Sequence, residues 1–380
     1  MRAGRLVRLG AALLLGLALT GCWSRIETNE LAVVIAFGVD WHAGTYEVTA
    51  SVLNPRALGT PGNSPSNPTQ PAHVLMSGQG STPQQALADV DNGSSRRMLW
   101  GSADVLILGQ SLAEHGIGPL MSAITHEPYF RPTTRLIVAH GDARSIFALD
   151  NSGLEDSVGR QIFLMLQNIH RAGTFAWAPH VFDVARWEAE QQRVILLPGI
   201  KGQQPPLPQS QAYTIADSAV LQNGRMVGWL PRSEVRIVLW VEGQFVHGQF
   251  NVVCPGRLGQ QGTVNLYSAG HSVRSLVQGG RLTGFRVRLS GKGSVSQGCA
   301  GASQRQMGAA ASQAVLEMAR QTFQWAQEQH LDVFGLGEMV YRFHPRLWLT
   351  SYQGDWPRAF ASLPVTLSAD IKIPMPGMTR

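Results

Sequence analysis

Cysteine is scarce in this chain of 380 residues, with three in all. None forms a CxxC pair, which excludes a thioredoxin-type redox centre and a cysteine-rich zinc site. Charge is also thin: Asp, Glu, Lys and Arg make up 15%, against about 25% in ordinary soluble domains. No apolar run after residue 22 reaches the roughly 18 residues of a membrane-spanning helix. Catalytic signatures are missing too. The 11 histidines fall in no HExxH pattern, and His126-Glu127 is followed by Pro128, which excludes a helical zinc site there. Gly270-His271-Ser272 continues with Val273 and Arg274, so there is no GxSxG nucleophile elbow. Ser290-Gly291-Lys292-Gly293 lacks the leading glycine and the hydroxyl of a phosphate loop, and is expected as a tight β-turn. Gly335-Leu336-Gly337 lacks the third glycine of a dinucleotide site. No catalytic residue, metal site or cofactor is assigned, and an exported, non-enzymatic role is favoured.

Glycine and proline, by contrast, are plentiful at 41 and 21 residues, as expected of a body with many turns. The most informative stretch is the N-terminus. Arg2, Arg5 and Arg8 precede an apolar run from about Leu9 to Leu19, too short to span a hydrocarbon core of ~20 residues. The run ends in Leu19-Thr20-Gly21-Cys22. Small residues at Thr20 and Gly21 suit a peptidase, and the Cys22 thiol suits acylation. Residues 1–21 are expected as a lipoprotein signal peptide cut between Gly21 and Cys22, leaving a diacylglyceryl cysteine as the membrane anchor. Two acyl chains hold a protein stably where one does not. Without those arginines the formal charge falls from +6 to +3. That is too small to argue for nucleic acid, though it permits a mild attraction to an anionic membrane. Cys254 and Cys299 remain. An even remainder in an exported chain permits a disulfide, worth ~4 kcal/mol in the loop-entropy model; two buried free thiols are the alternative.

Hydrophobic periodicity supplies the elements. Leu31–Phe37 reads as a strand covered on both faces, ended by Gly38-Val39-Asp40, with a turn at His42-Ala43-Gly44 before an alternating strand. Asn54–Pro71 is a Pro/Gly/Ser/Asn-rich excursion. Thr82-Pro83 with Gln85, and Ser111 with Glu114, are helix-start signals. Val158, Ile162, Leu166 and Ile169 place a helix over about 154–171. Pro198–Gln211 reads as a linker. Beyond it come a hairpin around Asn223-Gly224, short strands to Leu289, a helix over 304–329, a second apolar helix within Leu331–Leu349, and a closing strand at 364–373. The helix stripe of Met307, Ala311, Ala314, Val315, Met318 and Thr322 is either core or a partner face. The fold class is α+β, multi-domain, with mixed sheets flanked by helices. The boundaries are an α/β domain at 22–200, a linker at 201–211, a β-rich middle domain at 212–300 and a C-terminal α+β domain at 301–380.

Four stretches together resemble one family, the Ger(x)C spore germination lipoproteins. They are Gly21-Cys22-Trp23 running to Gly38-Val39-Asp40, and Arg96-Arg97 with Trp100-Gly101 and Val105–Ile117. Gly224–Leu230 and Leu331–Gly337 with Tyr341, His344-Pro345 and Trp348 complete the set. Ser24 and Ser102 depart from the family pattern. The resemblance implies the C subunit of a nutrient germinant receptor on the outer surface of the spore inner membrane. Such a subunit assembles with two integral-membrane subunits that respond to amino acids, sugars or nucleosides. It carries over Cys22 as the acylated residue and supplies no catalytic residues. Gly335 and Gly337, with the preceding helix, are candidates for a partner surface. The competing readings are a solute-binding lipoprotein of an envelope transporter, which needs two similar lobes around a cleft, and an envelope hydrolase, which needs a nucleophile–base pair.

Overall fold

The computed structural model describes residues 30–55, 57, 71–127, 130–149, 155, 157–172, 176–189, 193–202, 213–257 and 259–374. The leader, Gly21, Cys22, residues 58–70 of the excursion and residues 203–211 of the expected linker lie outside them. The chain enters through the hairpin β1 (Leu31–His42) and β2 (Thr45–Leu53). Ala43 and Gly44 turn it with φ of 47° and 91°, the left-handed pair that matches the twist of the flanking strands. Next come β3 (His73–Gly80), α1 (Pro83–Asn92), β4 (Arg97–Leu99), β5 (Val105–Leu108), α2 (Gln110–His115) and α3 (Gly118–His126). They are followed by β6 (Arg135–Ala139), α4 (Ala143–Ala148), α5 (Val158–Ala172), α6 (Val181–Ala189), β7 (Ile195–Gly202), β8 (Tyr213–Gln222) and β9 (Arg225–Leu230). These strands form one sheet in the order β3-β2-β1-β5-β6-β7-β8-β9, with β4 beside β1. The central strands β1, β5, β6 and β7 run parallel. Val34, Ala36, Phe37 and Val39 have no exposure, because helices cover both sides of a parallel centre.

The second unit contains α7 (Arg232–Val241), β10 (Gly248–Val253), β11 (Gln261–Gln278), β12 (Arg281–Gln297) and α8 (Gln304–Glu328). It continues with α9 (Leu336–Phe343), α10 (Pro345–Ser351), α11 (Trp356–Ser362) and β13 (Val365–Lys372). Its sheet has the order β10-β11-β12-β13, and β13 enters parallel to β12. Helix α8 starts at Ser303, whose hydroxyl accepts the Gln306 N–H while Gln306 returns a bond to the Ser303 backbone. Of the expected stripe, Met307, Ala311, Val315 and Thr322 are buried, alongside Ala319 and Phe323, while Ala314 and Met318 are partly buried and pack against the same core. Gly308 lets α8 approach closely, since a Cβ there would meet the Ile371 carbonyl at 2.8 Å. Cys254 and Cys299 are disulfide-bonded with Cα atoms 5.5 Å apart.

Five expectations need correction. Pro198–Gly202 is strand rather than linker; the proline sits where the β7/β8 register shifts, a position that tolerates a missing N–H. The hairpin 213–230, expected to open a middle domain, instead completes the first sheet. The expected split at 300 divides a single core, because β13 and α8 share it with β10–β12. Ser290–Gly293 is no turn: it lies within β12, where a Cβ at Gly293 would stand 2.6 Å from the Asn265 carbonyl. The expected apolar helix within 331–349 is two helices, broken where His344 precedes Pro345, since that dipeptide disfavours helical backbone.

Candidate functional site

The Gly38-Val39-Asp40 signature, expected to end the first strand, lies within β1, which runs on to His42; it sits where the parallel pairing with β5 stops, after Val39 and Leu108. Asp40 is 1% exposed. One carboxylate oxygen accepts the Ala143 N–H at 2.7 Å and the other accepts the Arg144 N–H at 3.0 Å, capping α4. Burial raises the pKa of Asp40, and the two backbone bonds oppose that shift. Glycines make the space. A Cβ at Gly109 would fall 1.9 Å from an Asp40 oxygen, and one at Gly38 would fall 2.7 Å from the Ala143 Cβ. Asp40, His42 and Asp142 bring ligand-type atoms within 4.8 Å of one another. Both Asp40 oxygens already serve the helix, and His42 pairs with Asp142 at 3.5 Å in the open. That arrangement is a helix cap beside a surface ion pair.

The Leu331–Gly337 signature builds a second buried carboxylate. Asp332 accepts the Leu336 N–H at 3.0 Å, the Gly337 N–H at 2.7 Å and the Trp356 Nε1–H at 2.8 Å. Gly335 turns the chain into α9 with φ of 65°. Gly337 is buried, and a Cβ there would stand 2.6 Å from Trp356 Nε1. The expectation that Gly337 forms a partner surface is therefore corrected: its face is filled by the indole. Gly335 is only partly buried and lines a cleft of about 290 Å³ with Arg193, Asp332, Glu338, Tyr341, Trp348 and Leu349.

That cleft lies where the two units meet. Arg193, just ahead of β7, donates to Glu338 of α9 at 2.8 Å and to Glu242 after α7 at 3.3 Å. Its guanidinium also stacks on Trp187 at 4.4 Å. Burial pushes Glu242 up to about 7; Arg193 pulls it down, while Asp332 and Glu338 add to the rise. Nothing in the sequence predicts this junction, because its three charged residues lie on elements far apart in the chain. His140 and Asp217 form another pair, at 2.8 Å, with the imidazole stacked on Trp229 of the third signature. Among the described residues no serine or cysteine bonds to His140, so the pair lacks the nucleophile of a hydrolytic triad.

Two sheets of different build, joined through a buried carboxylate and an arginine clamp, define an α/β scaffold whose signature residues shape the fold. Comparison with known proteins gives it a class. Residues 24–201 match the family described as "Spore germination protein N-terminal domain", and residues 216–377 match "Spore germination B3/ GerAC like, C-terminal". The chain belongs to the Ger(x)C family of spore germination proteins. It is 23% identical over 300 residues to the putative spore germination protein YfkR of Bacillus subtilis (strain 168), covering 75% of this chain and 73% of that one. It is 27% identical over 128 residues to spore germination protein KC of the same organism, covering 33% and 31%. The crystal structure of the GerBC protein shares the fold with a TM-score of 0.58 at 14% identity, over 89% of this chain and 96% of that one. Among the described residues no helix is long and apolar enough to cross a membrane.

Proposed function

We propose that this chain is the non-enzymatic C subunit of a spore nutrient germinant receptor. It is held by acylated Cys22 on the outer surface of the spore inner membrane and assembles with two integral-membrane subunits. The observation that carries the reading is the ordered match of both halves of the chain to the spore germination domains. The Leu19–Cys22 lipobox supports the anchor. A solute-binding lipoprotein fits less well, because the nine-stranded and four-stranded sheets are not two similar lobes. The signature carboxylates Asp40 and Asp332 are spent on backbone and indole N–H groups, which supports a scaffold rather than an enzyme. The test is a Cys22→Ala allele in the sporulating host, scored by nutrient germination and by the mass of the N-terminal residue. The expected result is loss of the acyl mass, release of a folded chain from the membrane and impaired germination. Germination at the wild-type rate in spores without acylated protein would refute the anchor's role.

A further inference from the structure

The second sheet has two unlike faces. One lies under α8 and carries Phe285, Val287 and Leu289 inward. The other has no covering element among the described residues, and its charge is one-sided. Along β12, Arg286, Arg288 and Lys292 are exposed and alternate with the buried residues, so they share that outer face. The strand register adds neighbours. Arg274 of β11 stands directly opposite Arg286, and Lys372 of β13 stands directly opposite Lys292. The positions between them are Ser268 and Ser272 on β11, Ser290 on β12, and Thr366 and Ser368 on β13. The one acidic residue in this part of the face, Asp370, pairs with Lys372 at 3.6 Å. Arg274, Arg286, Arg288 and Lys292 make no ion pair among the described residues.

Like charges set directly across a strand pair destabilise a sheet. Here there are two such pairs, six residues apart along β12, with serine and threonine and the single carboxylate of Asp370 between them. Folding does not call for this arrangement, whereas an anionic surface would relieve it. The patch runs about 20 Å along β12 and about 10 Å across the three strands. It presents guanidinium, ammonium and hydroxyl donors, the groups that hold phosphate oxygens. The formal charge of the whole chain is modest, but on this face it is concentrated.

The geometry points to this outer face, centred on Arg274, Arg286, Arg288 and Lys292, as a docking surface for the anionic phospholipid headgroups of the membrane to which the chain is tethered. The inference rests on the anchored-subunit reading for its choice of polyanion. Leu31 lies nine positions beyond Cys22, a span of at most about 30 Å when extended, so a lipid on Cys22 keeps the folded body near the headgroups. At physiological salt the attraction to an anionic surface falls off over a Debye length of about 8 Å. It amounts to about fivefold in affinity for each basic side chain. One sheet face laid flat would fix which way the body sits on the bilayer, which a lipid tether alone leaves free to swivel.

The experiment uses the chain beginning at Cys22, made without its leader and therefore unacylated. The described fold starts at Glu30 and is retained whole. Sedimentation with vesicles of phosphatidylglycerol and phosphatidylcholine is compared with pure phosphatidylcholine. We expect binding to the anionic vesicles alone, lost on raising salt. The triple variant R274S/R286S/R288S should bind on the order of a hundredfold more weakly. The matched variant R320S/R346S/R358S removes three exposed arginines from the helical side of the same unit and should bind as the parent does. Thermal melts of both variants establish that each is folded. Equal binding to both vesicle types, or equal loss in the two variants, would overturn the inference. So would retention on heparin without any preference between vesicles, which would give the face to another polyanion. Acylation of Cys22 is read separately by mass, so failure of the anchor and failure of the face are distinguishable.

Discussion

Gly337→Ala adds a single methyl group, and the structure says where it goes. The new Cβ would meet Trp356 at 2.6 Å from Nε1, 2.9 Å from Cε2 and 3.0 Å from Cδ1. Trp356 is 4% exposed and cannot swing into solvent without leaving the core. Moving the indole stretches its bond to Asp332, a carboxylate that depends on three donors for its burial. Overpacking costs about 1–3 kcal/mol, and losing a hydrogen bond to a charged group costs about 1.5–3 kcal/mol. Alanine returns about 1 kcal/mol through helix propensity. The net loss is therefore about 2–4 kcal/mol, or roughly 3–5 °C in Tm for a chain of this size. Urea denaturation followed by tryptophan emission measures it. A double-mutant cycle with Trp356→Phe isolates the mechanism. Phenylalanine has already lost the indole N–H, so Gly337→Ala should cost less in that background by about 1.5 kcal/mol or more. A stability within 0.5 kcal/mol of wild type, or strict additivity in the cycle, would refute the reasoning.

Other expectations follow from the same core and caps. Glu242 has its pKa raised from 4.5 to about 7 in the folded state. The folded chain then holds a proton that the unfolded chain has released between those two values, so this group's contribution favours folding at low pH and is lost as pH rises through that window. Glu242→Gln should leave stability nearly unchanged at pH 4 and raise it by up to about 3 kcal/mol at pH 8; denaturant melts at both pH values check the crossing. Cys254→Ser with Cys299→Ser should cost about 4 kcal/mol, and adding reductant should lower the wild-type midpoint but not the variant's. Asp40→Ala removes both acceptors from the first turn of α4 and should cost about 2 kcal/mol, with amide exchange fastest at Ala143 and Arg144.

The elements legible in the sequence were those whose signal is local. The 304–329 helix is met by Gln304–Glu328, because Ser303 and Gln306 mark its start and a buried stripe marks its length. The Asn223-Gly224 hairpin and the alternation of Val365–Lys372 were equally plain. Ser111 and Glu114 misled: α2 begins two residues earlier than that capping box predicts, with Gly109 at the N-cap, where a Cβ would strike Asp40. β11 and β12 were seen as fragments. Their outer face is serine, glycine and arginine, so apolar residues mark only one side of strands 18 and 17 residues long. The Gly335-Leu336-Gly337 signature was visible and its role was not, since nothing local places Trp356 against Gly337. The Arg193 clamp is a product of tertiary contact alone.

The parallel insertion of β13 beside β12 has a consequence for how the chain is made. Phe285 waits for Val365, some eighty residues behind it in synthesis, so β12 emerges with one flank open. The disulfide and the β10–β11–β12 meander lie wholly upstream of that last strand. A chain threaded outward across a membrane would thus acquire its covalent link while its second sheet is still unfinished. Closure of long-range pairing is slow, and an open flank beside a lipid surface invites mispairing with neighbouring chains. On the anchored-subunit reading proposed above, export would set a period of vulnerability that ends only when residues 365–372 dock.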